Sequence, residues 1–223
     1  MLMDIEPFSL VDYPGHIVAT VFFAGCNFRC GYCHNPALVN VEEKSQTSPR
    51  DIIEFLKTRK GLLDGVCLTG GEPIFSKDMF PLIKEIKELG FKVKLDTNGS
   101  NLDLLRAVAP YLDYIAMDIK CTPEKYDQLT GCKNSWEKVS KTMEWVKNSP
   151  IPYEFRTTVI PSWHNFDELQ KIRNLLGEDT NWILQQFRQP PDGVLDKQTY
   201  EAYPDSWLRE LGQKLGCKVR GIY

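Results

Sequence analysis

"HIVATVFFAGCNFRCGYCHNP", residues 16–36, joins a strand signal to a ligand signal. Residues 16 to 23 are rich in β-branched and aromatic side chains and are followed by Gly25, which reads as a buried strand entering a loop. The loop carries Cys26, Cys30 and Cys33 in C-x3-C-x2-C spacing. A strand that delivers three thiols at its C-terminal end suggests an α/β architecture, in which sites gather at strand ends.

Similar strand runs recur along the chain. "GVCLT" (65–69), "KVKLDT" (92–97), "YIAMDIK" (114–120), "YEFRTTVI" (153–160) and "WILQQF" (182–187) each read as a strand. Amphipathic helical stretches separate them. One lies at about 49–60, with Ile52, Phe55 and Leu56 on a face; another at about 77–89 carries Met79, Leu82, Ile83, Ile86 and Leu89 and stops at Gly90. Ser100 with Asp103 reads as the capping box of a helix bearing Leu102, Leu105 and Val108. Thr122 and Pro123 open a short helical turn that Gly131 ends. Further helices start at Ser135 and Asn165, and the last spans about 205–215. Six strand-then-helix units imply parallel strands with helices outside, as one domain over residues 1–223. The expected fold is an α/β incomplete (β/α)6 barrel, because six units are fewer than the eight that close a TIM barrel. A flat doubly wound sheet is the competing architecture, and periodicity does not separate the two.

Composition narrows the class. The chain has 223 residues, 42% apolar and 26% charged, with a formal net charge of -3. That is an ordinary globular balance without the basic field that nucleic acid or an anionic membrane would call for. The longest apolar run, residues 17–26, is about half of what a membrane-spanning helix needs. The stretch "MLMDIEPF" lacks the basic region of a signal peptide, so a cytoplasmic location and reduced thiols are expected. Cys67, Cys121, Cys132 and Cys217 stand apart from one another and read as small buried hydrophobes.

Polar and glycine residues gather after the strands. The first is followed by the three cysteines, the second by "TGGEP" (69–73), the third by "DTNG" (96–99) and the fourth by "DIK" (118–120). Arg156 lies within the fifth strand, where burial without an anion would be costly. Gln185, Gln186 and Arg188 lie near the end of the sixth. Three thiolates are one short of a structural zinc site, and His34, adjacent to Cys33, is poorly placed to complete it. Three cysteines can hold a 4Fe–4S cluster with one iron left without a protein ligand. Both metals stay open on spacing alone.

The motif Cys26-x3-Cys30-x2-Cys33, with Tyr32 before the third cysteine and "GGE" after the second strand, resembles the radical S-adenosylmethionine superfamily. "VDYPG" (11–15), "CNFRCGYCHNP", "TGGEP", "DTNG", "MDIK" and "VIPSW" (159–163) are similar to the glycyl-radical-enzyme activases. Within that group the start and length are most like the activating protein of anaerobic ribonucleoside-triphosphate reductase. The resemblance implies a catalytic 4Fe–4S cluster on Cys26, Cys30 and Cys33, with S-adenosylmethionine completing the open iron. It implies that Gly70, Gly71 and Glu72 meet the methionine amino group and that Tyr32 contacts adenine. His34 and Asn35 would line the same loop, and Asp118 and Lys120 would lie near the ribose and carboxylate. Arg156 would pair with an anion such as the cofactor carboxylate. Asp96 and Thr97, with Asp118, match positions that hold a monovalent cation in the sibling activase of pyruvate formate-lyase. A histidine of that relative is replaced here by Gln185, Gln186 and Arg188. The implied partners are a glycyl radical enzyme, with anaerobic ribonucleotide reductase first, and a flavodoxin- or ferredoxin-type electron donor. Pyruvate formate-lyase is the alternative target, and a radical enzyme acting on a small molecule the alternative activity.

Overall fold

A computed structural model describes residues 2–39 and 47–222, so Met1, residues 40–46 and Tyr223 of the expected single domain lie outside the described residues. The strands are β1 (Leu2–Ser9), β2 (Val18–Phe23), β3 (Gly65–Gly70), β4 (Lys92–Thr97), β5 (Tyr114–Asp118), β6 (Tyr153–Val159), β7 (Trp182–Gln186) and β8 (Lys218–Arg220). The helices are α1 (Pro36–Val39), α2 (Pro49–Lys57), α3 (Met79–Glu88), α4 (Leu102–Val108), α5 (Pro123–Thr130), α6 (Ser135–Lys147), α7 (Phe166–Leu176) and α8 (Asp205–Lys214).

All eight strands form one sheet in chain order, β1 to β8. The pairs from β2 to β8 are parallel and β1 joins β2 antiparallel. A doubly wound sheet reverses its strand order, whereas sequential order with right-handed crossovers places every helix on one face. The incomplete barrel is therefore the observed form, open between β1 and β8, which do not pair among the described residues. Its six expected strands are present, and two more extend it. Strand β1 is an edge strand, where Pro7 is tolerated. Strand β8 is three residues long and sits beside β7 after α8.

Alternation along each strand sorts side chains onto two faces. Val66, Leu68, Val93, Leu95, Ile115, Phe155 and Leu184 share one core with helical residues such as Ile52, Leu82, Ile86, Leu105, Val146 and Ile172. Burying each such side chain contributes about 1.5–3 kcal/mol. The intervening residues Cys67, Thr69, Lys94, Asp96, Asp118 and Arg156 face the barrel interior and bond to one another there.

One helix start differs from expectation. The N-cap of α4 is Asn101, whose side chain accepts from the Leu104 N–H. Ser100 is buried, and its hydroxyl accepts from Asn27 in the cysteine loop. Asn165 caps α7 by accepting from the Glu168 N–H, and Gly131 ends α5 in the left-handed conformation. Among the described residues no helix is long and apolar enough to cross a membrane.

Candidate active site at the barrel mouth

Strands β2 and β3 run in register to their ends, pairing Phe23 with Gly70. The loop after β2 is fastened at several points. Gly25 donates to the Leu38 carbonyl (2.7 Å), Arg29 N–H to the Thr130 carbonyl (2.7 Å) and Asp196 N–H to the Gly31 carbonyl (3.1 Å). The Arg29 guanidinium donates to the carbonyls of Cys26 and Phe28. Glycines at 70 and 71 make this closeness possible. Gly70 has φ +113°, and a Cβ there would strike the Phe23 backbone; a Cβ at Gly71 would strike the Gly25 carbonyl.

An open cavity results at the strand ends. Cys26, Cys30 and Cys33 line it together with Tyr32, His34, Gly70, Asp118 and Lys120. Phe28, Val39, Asn98 and Thr158, which the motif reading did not single out, line it too. The thiols surround a cavity rather than a point: among the described residues no three His, Cys, Asp or Glu side chains converge as ligands of one ion. Burial pushes the Cys26 thiol up to about 11 and the Cys30 thiol up to about 12. Thiolates here need a positively charged occupant, and an iron–sulfur cluster on three cysteines fits that donor set.

Tyr32 is buried, edge-on to Tyr200, and His34 lies against Phe187. Burial lowers the His34 pKa, so its imidazole is neutral at pH 7. Asn35 is exposed and uses its carbonyl to accept from Leu38 N–H, outside the cavity lining.

Charges on β4, β5 and β6 form a chain inside the barrel. Lys94 pairs with Asp96, Asp96 with Arg156 (2.9 Å), Arg156 with Asp118 (3.0 Å) and Asp118 with Lys120 (3.2 Å). Burial opposes ionisation of Asp96, yet Arg156 and Lys94 outweigh it and hold the carboxyl at about 2. Burial likewise opposes charge on Asp118 and Lys120, but their mutual attraction lowers the first pKa and raises the second. Arg156 thus has its anions within the chain, in place of the expected cofactor carboxylate. Asp96 faces two cations, which makes it a poor ligand for a further monovalent cation, and Thr97 is committed to Glu72.

Glu72 is also committed. It is 1% exposed; Thr97 donates to one carboxylate oxygen (2.8 Å) and Asn98 N–H to the other (2.6 Å). Burial outweighs these donors and raises its pKa to about 7. Neither Glu72 nor Gly71 is in the cavity lining. Gln186 donates to the Tyr203 carbonyl and to Asp205, and Arg188 donates to Asp205 and the Gly221 carbonyl. The end of β7 therefore anchors α8 instead of reaching the thiols. Of the remaining cysteines, Cys67 and Cys121 are buried, and Cys132 and Cys217 are partly exposed.

An incomplete α/β barrel with three thiols and a lysine–carboxylate pair at its mouth defines a metallocofactor enzyme scaffold. Residues 20–176 match the family model described as the radical SAM superfamily. The chain belongs to that superfamily, whose members are enzymes that use a 4Fe–4S cluster and S-adenosylmethionine. It is 30% identical to a candidate glycyl-radical enzyme activating enzyme of Methanocaldococcus jannaschii, over 96% of this chain and 90% of that one. It is 29% identical to the pyruvate formate-lyase-activating enzyme of Clostridium pasteurianum, over 78% and 74% of the two chains. The fold is similar to that of Streptococcus suis SuiB bound to S-adenosylmethionine (TM-score 0.72, 16% identity), covering 91% of this chain and 52% of that one.

Proposed function

We propose that this chain is an activase that installs a glycyl radical on a partner enzyme, with anaerobic ribonucleotide reductase as the first target. The observation that carries the reading is the near end-to-end similarity to a relative named for glycyl-radical enzyme activation. The cavity agrees with it. Cys26, Cys30 and Cys33 would hold a 4Fe–4S cluster, leaving one iron for S-adenosylmethionine. Bound together and reduced by one electron, the two cofactors supply a 5′-deoxyadenosyl radical able to take a hydrogen atom from a glycine.

The chain's own residues position and enclose this chemistry. Lys120 presents a fixed positive charge to the cavity, held by Asp118, and suits a carboxylate. Tyr32 and Phe28 offer apolar faces that suit a nucleoside and exclude water. Gly70 brings backbone to the cavity wall. Glu72 supports this wall from behind by holding Thr97 and Asn98. The unpaired side between β1 and β8 is a route by which a partner's glycine loop could enter.

Pyruvate formate-lyase is the second target, favoured by the similarity to its activating enzyme. The decisive test mixes reduced, cluster-reconstituted protein anaerobically with S-adenosylmethionine and each candidate partner. A glycyl doublet in the electron paramagnetic resonance spectrum with ribonucleotide reductase supports the first target. A doublet only with pyruvate formate-lyase supports the second. Cofactor cleavage with no doublet on either would move the activity to another substrate.

A further inference from the structure

Cys26 differs from its two neighbours in what it receives. Its sulfur accepts from the Phe28 backbone N–H (3.4 Å) and from the Asn98 side-chain amide (3.9 Å). Among the described residues no comparable donor reaches the sulfur of Cys30 or Cys33. The orientation of the Asn98 amide is determined by its other partners. Its Oδ1 accepts from the Ser100 backbone N–H (2.9 Å), which can only donate. The NH₂ group must then face the cysteine loop, where one hydrogen goes to Asn27 Oδ1 (2.9 Å) and the other is left for sulfur.

Asn98 is also held from its backbone. Its N–H donates to the buried Glu72 carboxylate (2.6 Å), and Asn27 is fixed in turn by Ser100 Oγ (3.0 Å). The residue is 5% exposed and lines the cavity. A buried amide with both hydrogens assigned and its oxygen locked is a built donor.

We propose that Asn98 is a positioning residue that sets the reduction potential of the cluster through the Cys26 sulfur. A hydrogen bond to a ligating thiolate is strongest when the cluster carries more negative charge, so it favours the reduced form. The inference rests on the family's cofactor and the Cys26 geometry, and is independent of which enzyme is activated.

The test is a redox titration of the anaerobically reconstituted full chain, without a partner, followed by electron paramagnetic resonance. Asn98→Ala should lower the reduced-to-oxidised ratio at a fixed potential about tenfold, equivalent to 59 mV for one electron. Asn98→Asp retains an oxygen for Ser100 but places a carboxylate beside the sulfur, and should lower the ratio further. Ser100→Ala keeps the Ser100 backbone N–H on Asn98 but removes the hydroxyl that holds Asn27, and should shift the potential less than Asn98→Ala does. Iron and sulfide contents equal to those of the unmodified chain, with this order of potentials, would support the proposal. Potentials of both Asn98 variants equal to that of the unmodified chain would overturn it. So would loss of the cluster in both, because Asn98 would then serve assembly rather than potential.

Discussion

The two sides of the barrel mouth satisfy their polar groups in opposite ways. On the β4–β6 side, Lys94, Asp96, Arg156, Asp118 and Lys120 alternate in sign and pair in sequence, so folding alone orders the chain of charges and leaves one net positive charge, which Lys120 presents to the cavity. On the β2–β3 side, three thiols face a cavity, and burial raises two of their pKa values well above neutrality. One side is finished by the protein; the other waits for a cofactor. The prefinished side costs no reorganisation when a ligand arrives, which is what a positioning surface needs.

Breaking the unfinished side should have the largest effect on function and little on the fold. Replacing Cys26, Cys30 or Cys33 with Ala should abolish cluster retention, measured as iron and sulfide per chain, and reduce S-adenosylmethionine cleavage to background. Thermal unfolding of the cluster-free chain should change little, because each thiol lines a cavity.

Breaking the finished side should do the reverse. Arg156→Leu leaves Asp96 facing Lys94 alone and Asp118 facing Lys120 alone. Removing one member of a buried charge set costs about 3–5 kcal/mol. Chemical denaturation of the cluster-free chain should register that loss, and Arg156→Lys should recover part of it.

Glu72 lies between the two regions and gives a pH-dependent test. Its carboxyl is raised from the ordinary 4.5 to about 7 in the folded protein. Between those values the native state keeps a proton that the unfolded chain has released, so this group's contribution to stability falls as pH rises. The contribution is fully present below about 4.5 and lost by about 7. Glu72→Gln should flatten the stability profile of the cluster-free chain across that window, by about 3 kcal/mol at most. A difference between the two profiles that does not change with pH would contradict the assignment.

The smallest effect is expected at Gly31, where a Cβ would overlap the Asp196 carboxylate and crowd the Tyr200 hydroxyl. Gly31→Ala should destabilise by about 1 kcal/mol, since crowding by one methyl at flexible side-chain ends is partly relieved. It should also speed iron removal from the reconstituted protein by a chelator, because residues 196–200 pack over the cysteine loop at that point.

How far this division could be read in the sequence depended on how local each feature is. The six central strands were legible because runs such as "HIVATVFF" are continuous and bounded. "KVKLDT" even shows the two faces, with Val93 and Leu95 outside and Lys94 and Asp96 inside. Strand β1 was not legible: "LMDIEPFS" mixes Leu2, Met3, Ile5 and Phe8 with two carboxylates and contains Pro7, and its pairing with β2 is settled only in three dimensions. Strand β8 is too short to leave a pattern. The three thiols were legible from spacing alone.

The destination of Arg156 was not legible. The chain's residues showed that it needed an anion, but its partners Asp96 and Asp118 lie 60 and 38 positions away. Glu72 was placed beside the methionine amino group by the family resemblance of "GGE", and its bonds to Thr97 and Asn98, 25 and 26 positions on, were not legible in that motif. Asn98 itself was visible only as one letter of "DTNG". Its role depends on Asn27 and Cys26, which lie 71 and 72 positions away.

The central claim is that three thiols hold an iron–sulfur cluster with one corner open to S-adenosylmethionine. The most direct measurement is the electron paramagnetic resonance spectrum of the reduced, reconstituted chain before and after S-adenosylmethionine is added, with no partner present. The account predicts a 4Fe–4S signal whose g-values shift on addition, as the open iron gains its ligand. A signal unmoved by saturating cofactor, or a chain that binds one zinc and no iron, would contradict it.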